Sequence, residues 1–163
     1  MYDVRCMSAI GDAIQEKCLA FGDRVIKLND YLLAQACHRK FDGGSTKSDV
    51  GGTPQTSDFR PQTFHVPVYL QSVANLSNQL LRAGTSIGAN NAEATSAISK
   101  ADFKSKSYIA LKEARESLYW IELLHRNNYL DDKQYASIHD DCEELVKLLV
   151  NRCKKLDQNS DKN

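Results

Sequence analysis

Residues 81–94 read LRAGTSIGANNAEA, a stretch built mainly from small side chains rather than from the long apolar ones of an ordinary helix core. Small side chains let a second helix approach the backbone closely, because little volume separates the two axes. The glycines, threonine and asparagines in this stretch have weak helix propensity, so an isolated peptide would fray. We therefore predict a helix that tight packing against a neighbouring helix holds in place.

An apolar face leads into this small-residue stretch. Pro67 suits the first turn of a helix, since its ring holds the backbone near the helical φ. Large apolar residues then recur at helical spacing, at Leu70, Val73, Leu76, Leu80, Leu81 and Ile87. This periodicity predicts one helix over about residues 67–97.

A third helix is predicted over about residues 100–126. Ser99 followed by Asp102 resembles a capping box, in which the two side chains satisfy backbone N–H groups at the helix start. Apolar or small residues then follow at steps of three or four, at Phe103, Ser107, Ala110, Leu111, Ala114, Leu118 and Ile121. Residues 118–124 are apolar on two sides, which favours either a central position or cover by another subunit.

Two further helices flank this pair. Asp131 or Asp132, with Gln134 nearby, can cap a helix over about residues 132–156. An apolar seam suited to bundle packing runs along it, at Ile138, Cys142, Leu145 and Leu149. Apolar residues at helical spacing also predict a first helix over about residues 7–37.

The segment between the first two helices has a different composition. Residues 38–62 hold four of the eight glycines and two of the three prolines, with almost no apolar residues to bury. Such a segment cannot offset its ordering entropy, so we predict a mobile, disordered loop over about residues 38–65. Four amphipathic helices with two short connections then predict an all-α, antiparallel up-down-up-down four-helix bundle, a single domain spanning residues 1–163.

Composition bounds the location and chemistry of the chain. Its 163 residues carry equal numbers of basic and acidic side chains, so any basic surface must be local. No stretch approaches the roughly 18 to 20 apolar residues of a membrane-spanning helix, and the N-terminus does not resemble a targeting signal. We expect a cytoplasmic protein without membrane association. Five cysteines without a CxxC pair favour reduced thiols over disulfides or a zinc site.

The motifs of common enzyme classes are absent. The sequence contains no GxGxxG, GxxxxGK[ST], HExxH or GxSxG pattern, and its four histidines are scattered. We therefore predict no catalytic, metal-binding or cofactor-binding residue and no small-molecule substrate. The chain is expected not to be an enzyme.

One basic stretch remains as a candidate binding surface. Cations are densest at the start of the third helix, and Arg82 lies on the helix before it. The candidate contacts for nucleic acid are Arg82, Lys104, Lys112 and Arg115. Interleaved acidic residues leave a second interpretation open, that of an ordinary charged helix surface.

Residues 76–124 closely resemble the four-helix bundle proteins encoded in intervening sequences of bacterial large-subunit ribosomal RNA genes. Within the second helix, the resemblance rests on Leu81, Arg82, Gly84, Thr85, Ser86, Ile87, Gly88, Ala89, Asn90, Glu93 and Ala94. Within the third, it rests on Asp102, Phe103, Ile109, Ala110, Lys112, Glu113, Ala114, Arg115, Glu116, Tyr119 and Trp120. It extends more weakly into the first and fourth helices.

The resemblance implies a left-handed four-helix bundle that assembles into a ring-shaped homo-oligomer, a pentamer, without known enzymatic activity. Similar bundles serve as accessory proteins to the reverse transcriptases of diversity-generating retroelements and bind nucleic acid through a basic surface. The present chain departs from them in its zero net charge and in the insertion after its first helix.

Two main hypotheses for the function follow. The chain is either a homo-oligomer that binds RNA or a nucleoprotein partner, which includes an accessory role beside a reverse transcriptase, or an oligomeric scaffold for other proteins. For self-association, the candidate subunit interface consists of Glu113, Arg115, Glu116, Tyr119, Trp120 and Leu123.

Overall fold

A computed structural model describes residues 4–38 and 68–160, which form four α-helices. They are α1 (Val4–His38), α2 (Val68–Thr95), α3 (Lys100–Arg126) and α4 (Asp132–Ser160). The described residues contain no strand, and the predicted all-α four-helix bundle is confirmed. Helix α2 ends slightly earlier than predicted, and α4 continues past residue 156. Apart from His38, the predicted loop over residues 38–65 lies outside the described residues.

The helices surround the core in chain order, each packed against its neighbours. Helix α1 contacts α2 and α4, and α3 completes the arrangement between α2 and α4. Gln15, near the start of α1, hydrogen-bonds Asn91, near the end of α2. Tyr108, near the start of α3, likewise bonds Asp157, near the end of α4. These pairings show that neighbouring helices run antiparallel.

The smallest helix–helix interface lies between α1 and α4, and polar contacts span it. Lys17 Nζ lies 2.9 Å from Glu144 Oε1, and Arg24 pairs with Asp141 and donates to Ser137 Oγ at 2.8 Å. Exposed ion pairs of this kind each contribute less than about 1 kcal/mol to stability. The bundle therefore depends more on the packing of α2 against α1 and α3.

The small-residue stretch of α2 packs tightly against α1. A Cβ atom added at Gly84 would lie 3.0 Å from Val25 Cγ2 and 3.3 Å from Phe21 Cε1. One turn later, a Cβ at Gly88 would lie 3.4 Å from Cys18 Cβ. The three α1 side chains are almost fully buried. The close helix approach thus explains why residues 81–94 lack large side chains.

Local signals define both short connections of the bundle. The Ser99 hydroxyl accepts from the Asp102 N–H at 3.1 Å at the start of α3. Before α4, Asp131 Oδ1 accepts from the Gln134 N–H at 2.8 Å, and Gln134 Oε1 accepts from the Asp131 N–H at 3.0 Å. Between α3 and α4, Asn128 has a φ of 58°, which asparagine adopts more readily than most residues.

A polar layer crosses the core and touches all four helices. Arg152 of α4 is only 8% exposed and donates from Nη1 to Asn91 Oδ1 at 2.6 Å. Asn91 in turn donates to Gln15 Oε1 at 2.6 Å. The guanidinium carbon lies 5.6 Å from the centroid of the Phe103 ring on α3. Gln15, Asn91, Phe103 and Arg152 are called the arginine layer below.

The arginine layer holds a charge without a carboxylate partner among the described residues. Burial lowers the pKa of Arg152, and its Nη2 has no hydrogen-bond partner among those residues. A buried cation is costly unless hydrogen bonds compensate it, so the bond to Asn91 is the contact on which it most depends.

The glycine contacts predict opposite effects on stability at two positions of the bundle. Gly84→Leu should lower the free energy of unfolding by about 1 to 3 kcal/mol, because the new side chain meets buried Val25 and Phe21. Gly22→Ala should raise it by about 0.5 to 1 kcal/mol, since a Cβ there meets nothing within 4 Å. Urea unfolding followed by circular dichroism measures both, and a neutral Gly84→Leu would contradict the packing.

The arginine layer predicts a strong coupling between Asn91 and Arg152. Asn91→Ala should cost about 2 to 3 kcal/mol, because it leaves the buried guanidinium without its amide acceptor. In an Arg152→Met background the same change should cost clearly less. A double-mutant cycle in urea measures the coupling, and additive effects would show that the hydrogen bond contributes little.

Candidate nucleic-acid interface

Three of the four cations predicted as nucleic-acid contacts lie on α3. Lys104 is half-buried and forms an ion pair with Asp157 of α4, with 2.8 Å between Nζ and Oδ1. Arg115 is exposed and, like Lys104, exerts its charge on Cys153 of α4. Lys112 is exposed between them along the helix. Lys104 and Arg115 therefore lie towards α4, as does the carboxylate of Glu122, which accepts from the Tyr135 hydroxyl of α4.

Arg82, the fourth predicted cation, lies on a different side. It is exposed on α2 and exerts its charge on Glu113, on the side of α3 that faces α2. Lys112 also exerts its charge on Glu113, so the structure separates Arg82 from Lys104 and Arg115 but not from Lys112. A single surface that includes all four would have to extend around the outside of that helix.

Two tyrosines lie in line with the α3 cations. Positions 104, 108, 112, 115 and 119 follow one another at steps of three or four, so they share one side of the helix. Tyr108 is 36% exposed and Tyr119 is 58% exposed. This side of α3 is called the basic stripe, and it comprises Lys104, Tyr108, Lys112, Arg115 and Tyr119.

The charges of the basic stripe differ in how far they are neutralised. Among the described residues, neither Lys112 nor Arg115 has a carboxylate within 4.0 Å, whereas Lys104 is paired with Asp157. The two cations without an ion pair among the described residues thus lie in the middle of the stripe. This part of the surface offers two cations to an anionic ligand.

Asp157 orders the start of the basic stripe. Its Oδ2 accepts a hydrogen bond from the Tyr108 hydroxyl at 2.6 Å, while Oδ1 binds Lys104. These contacts lower the pKa of Asp157 and raise the pKa of Tyr108 to about 12. The hydrogen bond to Asp157 holds the Tyr108 side chain in position.

The residues predicted as a subunit interface divide between two sides of α3. Arg115 and Tyr119 belong to the basic stripe, whereas Glu113 lies towards α2. Burial, followed by the nearby charge of Glu116, raises the pKa of Glu113. The Trp120 indole donates to Glu116 Oε1 at 3.0 Å. Leu123, the sixth predicted residue, is half-buried.

Trp120 contacts residues on both of these sides of α3, Glu116 through its indole N–H and Tyr119 through its ring. It packs partly against the hydrophobic core, and its ring centroid lies 4.9 Å from that of Tyr119 in an edge-to-face arrangement. The indole is consequently close to any ligand that contacts Tyr119. Trp120 directly follows Tyr119 in the sequence, but only the structure shows the contact between their rings.

An exposed apolar surface on α1 was not predicted from the sequence. Leu19 and Ile26 are exposed seven residues apart, and Gly22 between them has open space around its Cα. Because helical residues three, four and seven positions apart share a side, the three form one apolar surface, in which Gly22 adds no side chain between Leu19 and Ile26.

The buried thiols of the described helices are poor nucleophiles. Burial raises the pKa of Cys18 to about 11 and that of Cys142 to about 12, and it also raises that of Cys153. Among the described side chains, no three His, Cys, Asp or Glu residues are grouped as metal ligands would be. None of the described helices is long and apolar enough to span a membrane.

Comparisons with known proteins agree with the helical arrangement. The family model for the 23S rRNA-intervening sequence protein matches residues 66–151. A crystal structure of a protein of unknown function from the S23 ribosomal protein family of Bacteroides thetaiotaomicron is 34% identical in sequence, with a TM-score of 0.65. The match covers 89% of this chain and 98% of that one. No curated protein matches. The chain belongs to the 23S rRNA-intervening sequence protein family.

Proposed function

We propose that this protein is a non-enzymatic, self-associating bundle that binds RNA through the basic stripe of α3. The observation that carries the proposal is the pair Lys112 and Arg115, exposed one turn apart and without a carboxylate within 4.0 Å among the described residues. Lysine and arginine bind the phosphate backbone by neutralising its charge and releasing counterions.

The zero net charge of the chain is compatible with this function because the cations are concentrated locally. With Lys104 partly neutralised by Asp157, we expect two or three phosphate contacts per subunit. For single-stranded RNA this corresponds to a slope of about −1.4 to −2 in a plot of log K against log salt concentration. Binding by one subunit should be weak, and several copies in an oligomer would strengthen it.

Self-association is the second part of the proposal, and the apolar surface of α1 supports it. This apolar surface consists of Leu19, Gly22 and Ile26, and another helix could pack on it. Glu113, Glu116 and Trp120 offer a second contact, on the side of α3 towards α2. The α1 surface leaves the basic stripe free, so assembly through it is compatible with RNA binding. The second contact adjoins the stripe, because Trp120 touches Tyr119.

RNA binding should depend on the uncompensated cations of the basic stripe. Lys112→Glu/Arg115→Glu should weaken binding at least about tenfold, because two phosphate contacts are replaced by repulsion. Lys27→Glu/Lys133→Glu has the same charge change on exposed residues of other helices and should change the affinity far less. Fluorescence anisotropy with a labelled structured RNA that carries single-stranded loops measures both, at 50 mM salt and above.

Two outcomes would contradict RNA binding by this surface. One is the lack of any complex at micromolar protein and low salt. The other is an equal loss of affinity in the stripe variant and in the control variant, which would indicate a general charge effect.

Self-association should depend on the two proposed contact surfaces. Ile26→Glu should lower the mass of the assembly, because it introduces a charge into the apolar surface of α1, and Trp120→Ala should do so by removing a large contact. Tyr31→Ala, on α1 outside the proposed contacts, serves as the control. Light scattering coupled to size-exclusion chromatography measures the mass. A monomeric wild type, or an unchanged mass in both variants, would contradict this part of the proposal.

A further inference from the structure

We infer that the basic stripe recognises single-stranded RNA by stacking unpaired bases on Tyr108 and Tyr119. This inference rests on the proposed function and names the class of RNA. Its basis is the position of two exposed tyrosine rings, one on either side of the uncompensated cations Lys112 and Arg115. Neither ring was predicted from the sequence to contact RNA, and Tyr119 was predicted at a subunit interface.

The order of side chains along the stripe matches the chemistry of a single strand. Bases of an unpaired strand expose their faces, which stack on aromatic rings, while cations between the rings contact the phosphates. A duplex hides its base faces and is recognised by its shape and by contacts to phosphates and 2′-hydroxyls. Two free cations offer little to a duplex, whereas the two exposed rings add contacts that only unpaired bases can use.

The dimensions of the stripe also fit a short strand. Tyr108 and Tyr119 are eleven residues apart, which corresponds to about 16 Å along the helix axis. At roughly 3.4 Å per nucleotide in a stacked strand, this distance spans about five nucleotides. Lys112 and Arg115 lie between the rings, where the intervening phosphates would pass.

The two rings are presented in different ways. The hydrogen bond to Asp157 fixes Tyr108, so little freedom is lost when a base stacks on it. Tyr119 has the larger exposed surface and rests with its edge or face against Trp120. Since the chain has one tryptophan, a base on Tyr119 should change the fluorescence of Trp120.

The test compares ring removal with ring retention. Tyr108→Leu and Tyr119→Leu should each weaken binding of a labelled ten-nucleotide single-stranded RNA by about tenfold, because a stacking surface is lost. Tyr108→Phe and Tyr119→Phe keep the ring and should bind within about threefold of wild type. Tyr31→Leu, which removes a 42% exposed tyrosine from α1, should bind as wild type does. Circular dichroism confirms that each variant is folded.

Binding measurements with other nucleic acids identify the class of ligand. The single-stranded RNA should bind at least about tenfold more tightly than a duplex RNA of the same sequence without loops. Its binding should also quench the fluorescence of Trp120. Because stacking and phosphate contacts do not use the 2′-hydroxyl, single-stranded DNA of the same sequence should bind within about tenfold of the RNA, and failure of that DNA to bind would overturn stacking as the source of affinity.

The outcomes separate this inference from the proposed function. If the Leu variants bind the single strand as wild type does while Lys112→Glu/Arg115→Glu weakens it, stacking is overturned and RNA binding by the stripe stands. Equal affinity for duplex and single strand overturns the inference in the same way. If wild type binds no RNA at low salt, both are overturned.

Discussion

The close approach of α1 and α2 is the contact on which the rest of the structure depends. Gly84 lies against Val25 and Phe21 with no room for a larger side chain unless these neighbours move, and Gly88 lies against Cys18. This proximity brings Asn91 within hydrogen-bond distance of Gln15. A bulkier side chain in α2 would move the two helices apart and displace the polar layer as well as the core.

The arginine layer adds specificity to this packing. Apolar side chains can interdigitate in several registers, but Arg152 can reach Asn91, and Asn91 can reach Gln15, in few of them. A buried cation without a carboxylate partner among the described residues gains little stability, because desolvation opposes the hydrogen bond that it makes. We interpret the layer as a contact that selects one alignment of the helices. The same alignment determines which side of α3 remains on the surface.

Much of the fold could be predicted because its signals are local. Ser99 with Asp102 and Asp131 with Gln134 mark helix starts through hydrogen bonds within one turn. The burial of Arg152 was missed, although it continues the apolar seam three residues after Leu149 and so occupies an inward position. Charged side chains ordinarily lie on the surface, and only the amide of Asn91 on another helix makes the inward position tolerable.

The candidate site was less predictable than the fold because it depends on what covers each side of a helix. Spacing along α3 groups Lys112 with Arg115, but it cannot show that Asp157 neutralises Lys104 or that Arg82 lies near Glu113. Those facts depend on contacts between helices that are distant in sequence. The exposed strip at Leu19 and Ile26 was missed for the same reason, since α1 is apolar over more of its circumference than its two neighbours cover.

Mapping the contact between protein and RNA tests most directly whether the basic stripe binds single-stranded RNA. Single-stranded RNA containing 4-thiouridine can be cross-linked to the full chain by light, and the attached peptides identified by mass spectrometry. We predict cross-links within residues 104–119 of α3, with Tyr108 and Tyr119 among the modified residues. Cross-links confined to α1, or to the surface of α2 around Arg82, would contradict this prediction.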